Sequence, residues 1–484
     1  GELRLLNPEN TYSGGTLVSA GTLFLLNADR SLGTGPVVVR PGAVLNLSRV
    51  SGTNPLTIDR GEIYSSNGFG SHWNADIVLE GDAVIAAYSA LELNARAGSI
   101  SGPGGIVMAG NRGAFSGYVN GGVLVLAGRN TYAGPTVVRL GTLVVAKARA
   151  LADADPAKWS PDSIRVHTTA TLVLRVGGAD ELTNEQLDQL VGKLAATTPS
   201  NGLMPGAVLS IDTSGAKAPV VLHSAVRDAP QPGGPGVVLK KTGEGTLVLA
   251  GSNTFSGRTI VERGIVSVAS LNRFGAGREA QSSLGAPADI ESGEILLGAG
   301  DGTRPTGDGA SGLVYTGSGE TSDRVLNLAG RQSVVTLEQA GTGHLKLAGE
   351  IVISGYGADK QLVLAAPGAG TGELAGNLAD PFDRAGKART SVTKTGMGTW
   401  TLSGNNTHTG PTIVKEGTLR LVSPVSLGPN ADVQIAPGAT VAVDHPGETR
   451  IARLTVSGTV QPAGAYSAER LPGAISGKGS LVVP

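Results

Sequence analysis

The 484-residue chain carries 74 Gly but only 6 Phe, 3 Trp and 8 Tyr, a balance unlike that of an ordinary helical enzyme. Its 40% hydrophobic content is too high for a disordered chain, and its glycines follow no three-residue period, which excludes collagen. Lys plus Arg (38) nearly cancels Asp plus Glu (39), so a formal charge of −1 supplies no basic field for nucleic acid or an anionic membrane.

No apolar run approaches the ~18 residues of a spanning helix, and Gly1-Glu2-Leu3-Arg4 has no signal-like pattern, so a soluble, processed fragment is expected. The absence of cysteine removes thiol catalysis, disulfides and thiolate metal sites together.

In chain order, the first element to stand out is a segment that recurs four times. It runs Leu5 to Val18 (LLNPENTYSGGTLV), Gly122 to Val138 (GVLVLAGRNTYAGPTVV), Gly245 to Val261 (GTLVLAGSNTFSGRTIV) and Gly398 to Val414 (GTWTLSGNNTHTGPTIV). The flanks alternate apolar and polar with period two, as at Leu247, Leu249 and Ile260, and Asn-Thr-aromatic-x-Gly supplies a turn between them. Each copy therefore reads as strand, turn, strand. A second phrase follows each, Gly21-Thr22-Leu23, Gly141-Thr142-Leu143, Gly264-Ile265-Val266 and Gly417-Thr418-Leu419.

Between the copies lie short β-patterned runs broken by Gly, such as Val37-Val38-Val39, Val44-Leu45-Asn46-Leu47, Ile77-Val78-Leu79 and Leu345-Lys346-Leu347. Many short strands with glycine corners suit a parallel β-helix, an all-β solenoid with coils of about 20–25 residues. A string of antiparallel β-sandwiches is the competing architecture, and the scarcity of aromatics weighs against it. One helical insertion is expected near 180–195, where Thr183 and Gln186 form a capping box and Leu187, Leu190, Val191 and Leu194 share a face. It lies within an irregular stretch, 147–205, and a helix of this kind covers a solenoid edge or core.

The pattern GTLVLAGSNTFSGRTIVERG, preceded by Leu239-Lys240-Lys241-Thr242-Gly243-Glu244 and again by Val392-Thr393-Lys394-Thr395-Gly396-Met397, resembles the passenger-associated repeats of bacterial type V (classical) autotransporters. Gly206 to Thr213 and Leu313 to Glu320 look like phrases of the same family. Gln461-Pro462-Ala463-Gly464-Ala465-Tyr466-Ser467 with Ile475 to Leu481 looks like a passenger end. The resemblance implies one continuous right-handed β-helix over 1–484 whose C-terminal section, 430–484, assists folding. It also implies display at, or release from, a bacterial outer membrane, with membrane association only through a translocator barrel absent from this sequence.

Chemistry is sparse. Gly307-Asp308-Gly309-Ala310-Ser311-Gly312 lacks the serine placement of a chymotrypsin-like nucleophile, and Gly-x-Ser-x-Gly does not occur. The same stretch fits G-x-G-x-x-G but precedes a strand-like run, so no helix N-terminus would meet a pyrophosphate. Asp301 and Asp308 read as solvated loop acids, and Asp153 with Asp155 as a turn. The six histidines lack i, i+4 zinc spacing, and His408 aligns with Tyr12, Tyr132 and Phe255 as a stacking residue. No metal, no cofactor and no catalytic residue is expected.

Large aromatics outside the repeats are the candidate anchors for a partner. Tyr64, Phe69 and Trp73 fall in 61–74. Arg112, Phe115 and Tyr118 fall in 110–121, about two coils later, which would set both groups on one side. Trp159 sits in a Pro-bounded polar loop. The competing reading is that these rings cap the core where the repeat is irregular. The sequence thus points to a non-catalytic virulence passenger, an adhesin or immune-evasion factor, that binds a host extracellular or plasma protein. A polysaccharide-active β-helix enzyme and a passive stalk are the alternatives.

Overall fold

A computed structural model describes residues 1–484 except 28, 67, 69, 97, 113–117, 120, 232, 276–280, 299–309, 331–332, 355–357 and 385. The alternation legible in the sequence becomes parallel pairing between each strand and the one a coil later. Leu23 faces Leu45, Leu45 faces Ile63, Ile63 faces Ile85 and Ile85 faces Met108, and the column continues through Val138 and Val166 to Leu203. All eight are buried, so like residues stack at the ~4.8 Å inter-strand spacing to form a continuous apolar ladder. A one-residue slip would turn the whole ladder outward, and this fixes the register.

The chain divides into two compact units, Gly1–Val220 with Ser224–Leu239 and Val221–His223 with Lys240–Pro484. The first unit has three parallel sheets. One runs through Glu2–Leu5, Thr22–Leu26, Val44–Ser48, Glu62–Ser65, Ala83–Ala87, Ile106–Ala109, Thr136–Leu140 and Ile164–Val166 to Gly202–Leu203. The second runs from Thr16–Val18 through Val37–Val39, Leu56–Ile58, Ile77–Leu79 and Ser99–Ser101 to Arg129–Asn130, and the third contains Ser71–Trp73, Ala90–Leu93, Val123–Leu126, Thr142–Val145, Thr171–Arg175 and Val208–Asp212.

The second unit repeats the scheme. Leu247, Val266, Leu313, Leu337 and Leu364 form its central inward column, and Thr371, Thr399, Thr418 and Thr440 form an outward row on a second sheet. The architecture is a parallel β-helix solenoid, as the sequence pattern predicts. Towards Pro484 the pairing turns antiparallel: Thr459–Val460 folds back on Arg453–Val456, and Gly464–Tyr466 lies against Ser480–Val483. Parallel edges are thereby covered.

The expected helix spans Asn184–Lys193 in the first unit. Gln186 N donates to Thr183 Oγ1 at 3.2 Å and Thr183 N to Gln186 Oε1 at 3.0 Å, completing the capping box. Leu187, Leu190, Val191 and Leu194 are buried, so the amphipathic face covers core. The Asp153 and Asp155 stretch is a series of 3-10 turns: Asp155 accepts from Ala157 N, and Asp153 pairs with Arg129. The Arg129 hydrogen bond holds the Asp153 carboxyl below its ordinary range. Asp301 and Asp308 lie outside the described residues.

Candidate partner-binding face

The four repeat copies share a set of side-chain clamps. The repeat asparagine projects inward and donates to a carbonyl of the following coil: Asn10 to Ser31 O, Asn130 to Ala150 O, Asn253 to Ser283 O and Asn406 to Ser426 O, at 2.6–2.8 Å. Each acceptor opens a second recurring triplet, Ser31-Leu32-Gly33, Ala150-Leu151-Ala152, Ser283-Leu284-Gly285 and Ser426-Leu427-Gly428, whose leucines are buried. Gly33 and Gly285 adopt positive φ, and Ala152 keeps that conformation (φ 53°) in the second copy. The triplet is visible in the sequence once the asparagine is known to reach it, 20 to 30 positions later.

The aromatic slot makes a second clamp. Tyr12 Oη and Tyr132 Oη lie 2.8 Å and 2.6 Å from Thr16 Oγ1 and Thr136 Oγ1, and burial pushes the Tyr132 phenol up to about 12. His408 takes the same place, with Nε2 3.5 Å from Thr412 Oγ1. Its expected packing role is consistent with its full burial.

The anchor residues fall into four groups. The structure places Trp73 and Trp159 in the core instead of on the surface. Trp73 is 0% exposed, lies across from Gly52, and donates through Nε1 to Asn54 O at 3.0 Å. A Cβ on Gly52 would come within 2.2 Å of the indole, so glycine leaves the room that the ring fills. Trp159 is 2% exposed and donates to Leu151 O at 3.1 Å. Both rings therefore pack the solenoid and satisfy their N–H groups there. Phe69 and Phe115 lie outside the described residues. The backbone of Arg112 and Tyr118 forms the antiparallel hairpin Asn111–Arg112 with Tyr118–Val119.

Among the candidates whose side chains are described, Tyr64 reaches the outer surface. Because Ile63 and Ser65 point inward, Tyr64 faces out from Glu62–Ser65, half-buried, in a column with Arg4, Phe24 and Asn46. The Arg4 guanidinium lies 5.1 Å from the Phe24 ring centroid. Tyr64 Oη donates to Asn111 Oδ1 at 3.3 Å, so the 61–74 and 110–121 regions do meet on one side, at this pair.

A second outward column, Leu17, Val38, Thr57 and Val78, occupies another sheet of the same unit, with Leu17 63% exposed. A groove of 430 Å³ lined by Leu3, Tyr12, Thr16 and Leu17 opens beside it. The signal in the sequence was the unbroken apolar runs Val37-Val38-Val39 and Ile77-Val78-Leu79, where period two leaves the middle residue outward.

Among the described residues no group of three or more His, Asp or Glu could hold a metal ion. One polar constellation lies on the outer face of the second unit: His344 Nδ1 is 2.9 Å from Thr371 Oγ1, His344 Nε2 is 3.3 Å from Glu373 Oε2, and Lys346 and Ser403 both reach Glu373 Oε1. Burial raises the Glu373 carboxyl, but the Lys346 and Ser403 hydrogen bonds outweigh it and leave the group below its ordinary value. The Thr371 N–H is committed to Gly343 O, so it is no oxyanion donor for that hydroxyl.

The model of the passenger-associated-transport-repeat matches residues 1–23, 120–145, 239–268 and 392–421, the four segments that carry the asparagine clamp. The chain is similar to the adhesin BmaC autotransporter of Brucella suis biovar 1 (strain 1330), 31% identical over 134 residues. The chain carries the repeats of an autotransporter passenger domain. The matched stretch covers 27% of the passenger and 4% of that adhesin, so the passenger spans a small part of its relative's length. No solved structure matches the chain. A passenger of this type is associated with the bacterial surface and outer membrane.

Proposed function

We propose that this passenger is a non-catalytic adhesive module that binds a host extracellular or plasma protein through the outer face of its first unit. The observation that carries the reading is the outward column of Arg4, Phe24, Asn46 and Tyr64. Tyrosine and arginine dominate the energetics of protein interfaces, and here both stand on rigid strands that lose little entropy on binding. The aliphatic column at Leu17 and Val78 supplies apolar area on a neighbouring sheet of that unit. A chain of charge −1 binds by shape and local hydrogen bonds more than by long-range steering, so affinity should vary weakly with salt. The similarity to a named adhesin supports the adhesive reading, and release from the cell surface is part of the proposal.

The test is capture of human serum and matrix proteins by the folded 484-residue chain, with a heat-unfolded sample as control. One saturable partner retained only by the folded chain supports the reading. No partner overturns it in favour of a passive stalk, and depolymerisation of a polysaccharide panel would overturn it in favour of an enzyme.

A further inference from the structure

Lys241 and Lys394 occupy equivalent places in the third and fourth repeats, in the phrases Lys241-Thr242-Gly243 and Lys394-Thr395-Gly396. Both are buried within the second unit, at 1% and 0% exposure. Lys394 stands in an inward column between Leu364 and Val414, a place where volume alone calls for leucine or valine.

An ammonium has three donors and no acceptor, and burying one without partners costs several kcal/mol. Here every donor is used. Lys241 Nζ donates to Thr242 O (2.8 Å), Gly243 O (2.6 Å) and Arg263 O (3.0 Å), and Lys394 Nζ donates to Thr395 O (2.8 Å), Gly396 O (2.6 Å) and Glu416 O (3.1 Å).

The two cages match residue for residue. Two acceptors come from the lysine's own corner, and the third comes from 22 positions later, in the next coil. That next coil then closes the cage with a glycine at positive φ, Gly264 (72°) or Gly417 (65°). A Cβ on Gly264 would lie 2.4 Å from Gly243 O and 2.8 Å from Lys241 Nζ, so only glycine fits there. Burial lowers the Lys394 pKa to about 8, which leaves the ammonium form predominant at neutral pH.

We propose that Lys241 and Lys394 are interlocks that make the folding of one coil conditional on the next. With only its own corner formed, each ammonium keeps two carbonyls and turns its third donor to water, and the following coil can bury it only by replacing that water with the Arg263 or Glu416 carbonyl. That carbonyl arrives with the following coil, and the two coils become a single cooperative step. An apolar residue would fill the column equally well without imposing that condition. The lysine therefore encodes coupling between neighbours, the term that holds a solenoid together along its length.

The test is amide hydrogen exchange of the full chain, read by mass spectrometry on peptides covering Thr390–Thr395 and Thr412–Val414. In the wild-type chain the two strands should exchange together, at one rate. In Lys394→Met, which keeps the stem and removes the donors, Thr412–Val414 should exchange about tenfold or more faster than Thr390–Thr395, the size expected for a charge-assisted hydrogen bond. Lys415→Met, at an exposed position one residue beyond Val414, should change neither. Unaltered, joint exchange in Lys394→Met would overturn the proposal. Should that variant fail to fold, the wild-type measurement decides: separate rates for the two strands refute the interlock, and a common rate upholds it.

Discussion

In the second repeat the Tyr132 hydroxyl meets Thr136 Oγ1 at 2.6 Å, whereas in the third repeat Phe255 fills the same slot and leaves the buried Thr259 Oγ1 with no hydrogen-bond partner among the described residues. The backbone around the two is alike: both threonines are buried at the start of a strand, and both asparagine clamps reach the following triplet. The slot therefore selects a planar ring of a given volume first and a hydrogen bond second. The fourth repeat lies between them, because His408 Nε2 sits at the long distance of 3.5 Å from Thr412 and Nδ1 has no partner. Ring volume carries apolar burial of ~1.5–3 kcal/mol, and the hydroxyl adds ~0.5–1.5 kcal/mol.

The comparison can be broken most forcefully through volume. Trp400 is fully buried, faces Gly372 across one inter-strand step and donates to Ala365 O at 2.8 Å. Trp400→Ala should destabilise the second unit by about 3–5 kcal/mol, measured as a shift in denaturant midpoint. A loss below 1 kcal/mol would mean that the rings are fillers and not packing anchors.

Next in size is the asparagine clamp. Asn406→Ala strands the Leu378 N–H and the Ser426 carbonyl that the amide bridges, and should cost about 1–3 kcal/mol. The exposed neighbour Asn405 gives the comparison, and an equal effect from Asn405→Ala would show that the clamp is not special.

The histidine copy should add a pH dependence. Burial lowers the His408 pKa, so the unfolded chain takes up a proton below about pH 6.5 that the folded chain resists. Stability of the second unit is therefore full above that pH and falls as pH drops toward the lowered folded value. His408→Tyr should flatten this part of a thermal melting profile taken from pH 7.5 to 5. An unchanged slope would place the titration elsewhere.

The smallest expected effect is a gain. Phe255→Tyr supplies the hydroxyl that Thr259 lacks and should stabilise by about 0.5–1.5 kcal/mol, provided the ring sits as in Tyr132. Thr259→Val should cancel that gain in a double-mutant cycle.

How much of this was legible in the chain follows from where the information lies. The β-helix, the four repeats and the helix at Asn184–Lys193 are written in local periodicity and in a capping box, which a linear scan reads directly. The burial of Trp73 was not legible, because it depends on Gly52 standing opposite in the preceding coil. The same is true of Lys394, which looks like an ordinary charged strand residue until the Glu416 carbonyl is placed against it. Aromatic content marked Tyr64 as a candidate, but Phe24 and Arg4, which share its outward column, come from strands two and three coils away. In a solenoid the decisive partner sits one coil off in sequence, and only the register reveals it.

The adhesive claim is tested most directly by comparing the wild-type chain with a Phe24→Ala/Tyr64→Ala double variant for binding to the captured host protein, with circular dichroism as a check on the fold. The account predicts saturable wild-type binding that weakens by at least about a hundredfold in the variant while strand content stays unchanged, the loss expected for two interface anchors. Equal affinity in the two chains would contradict it and move the binding face away from the Arg4 to Tyr64 column.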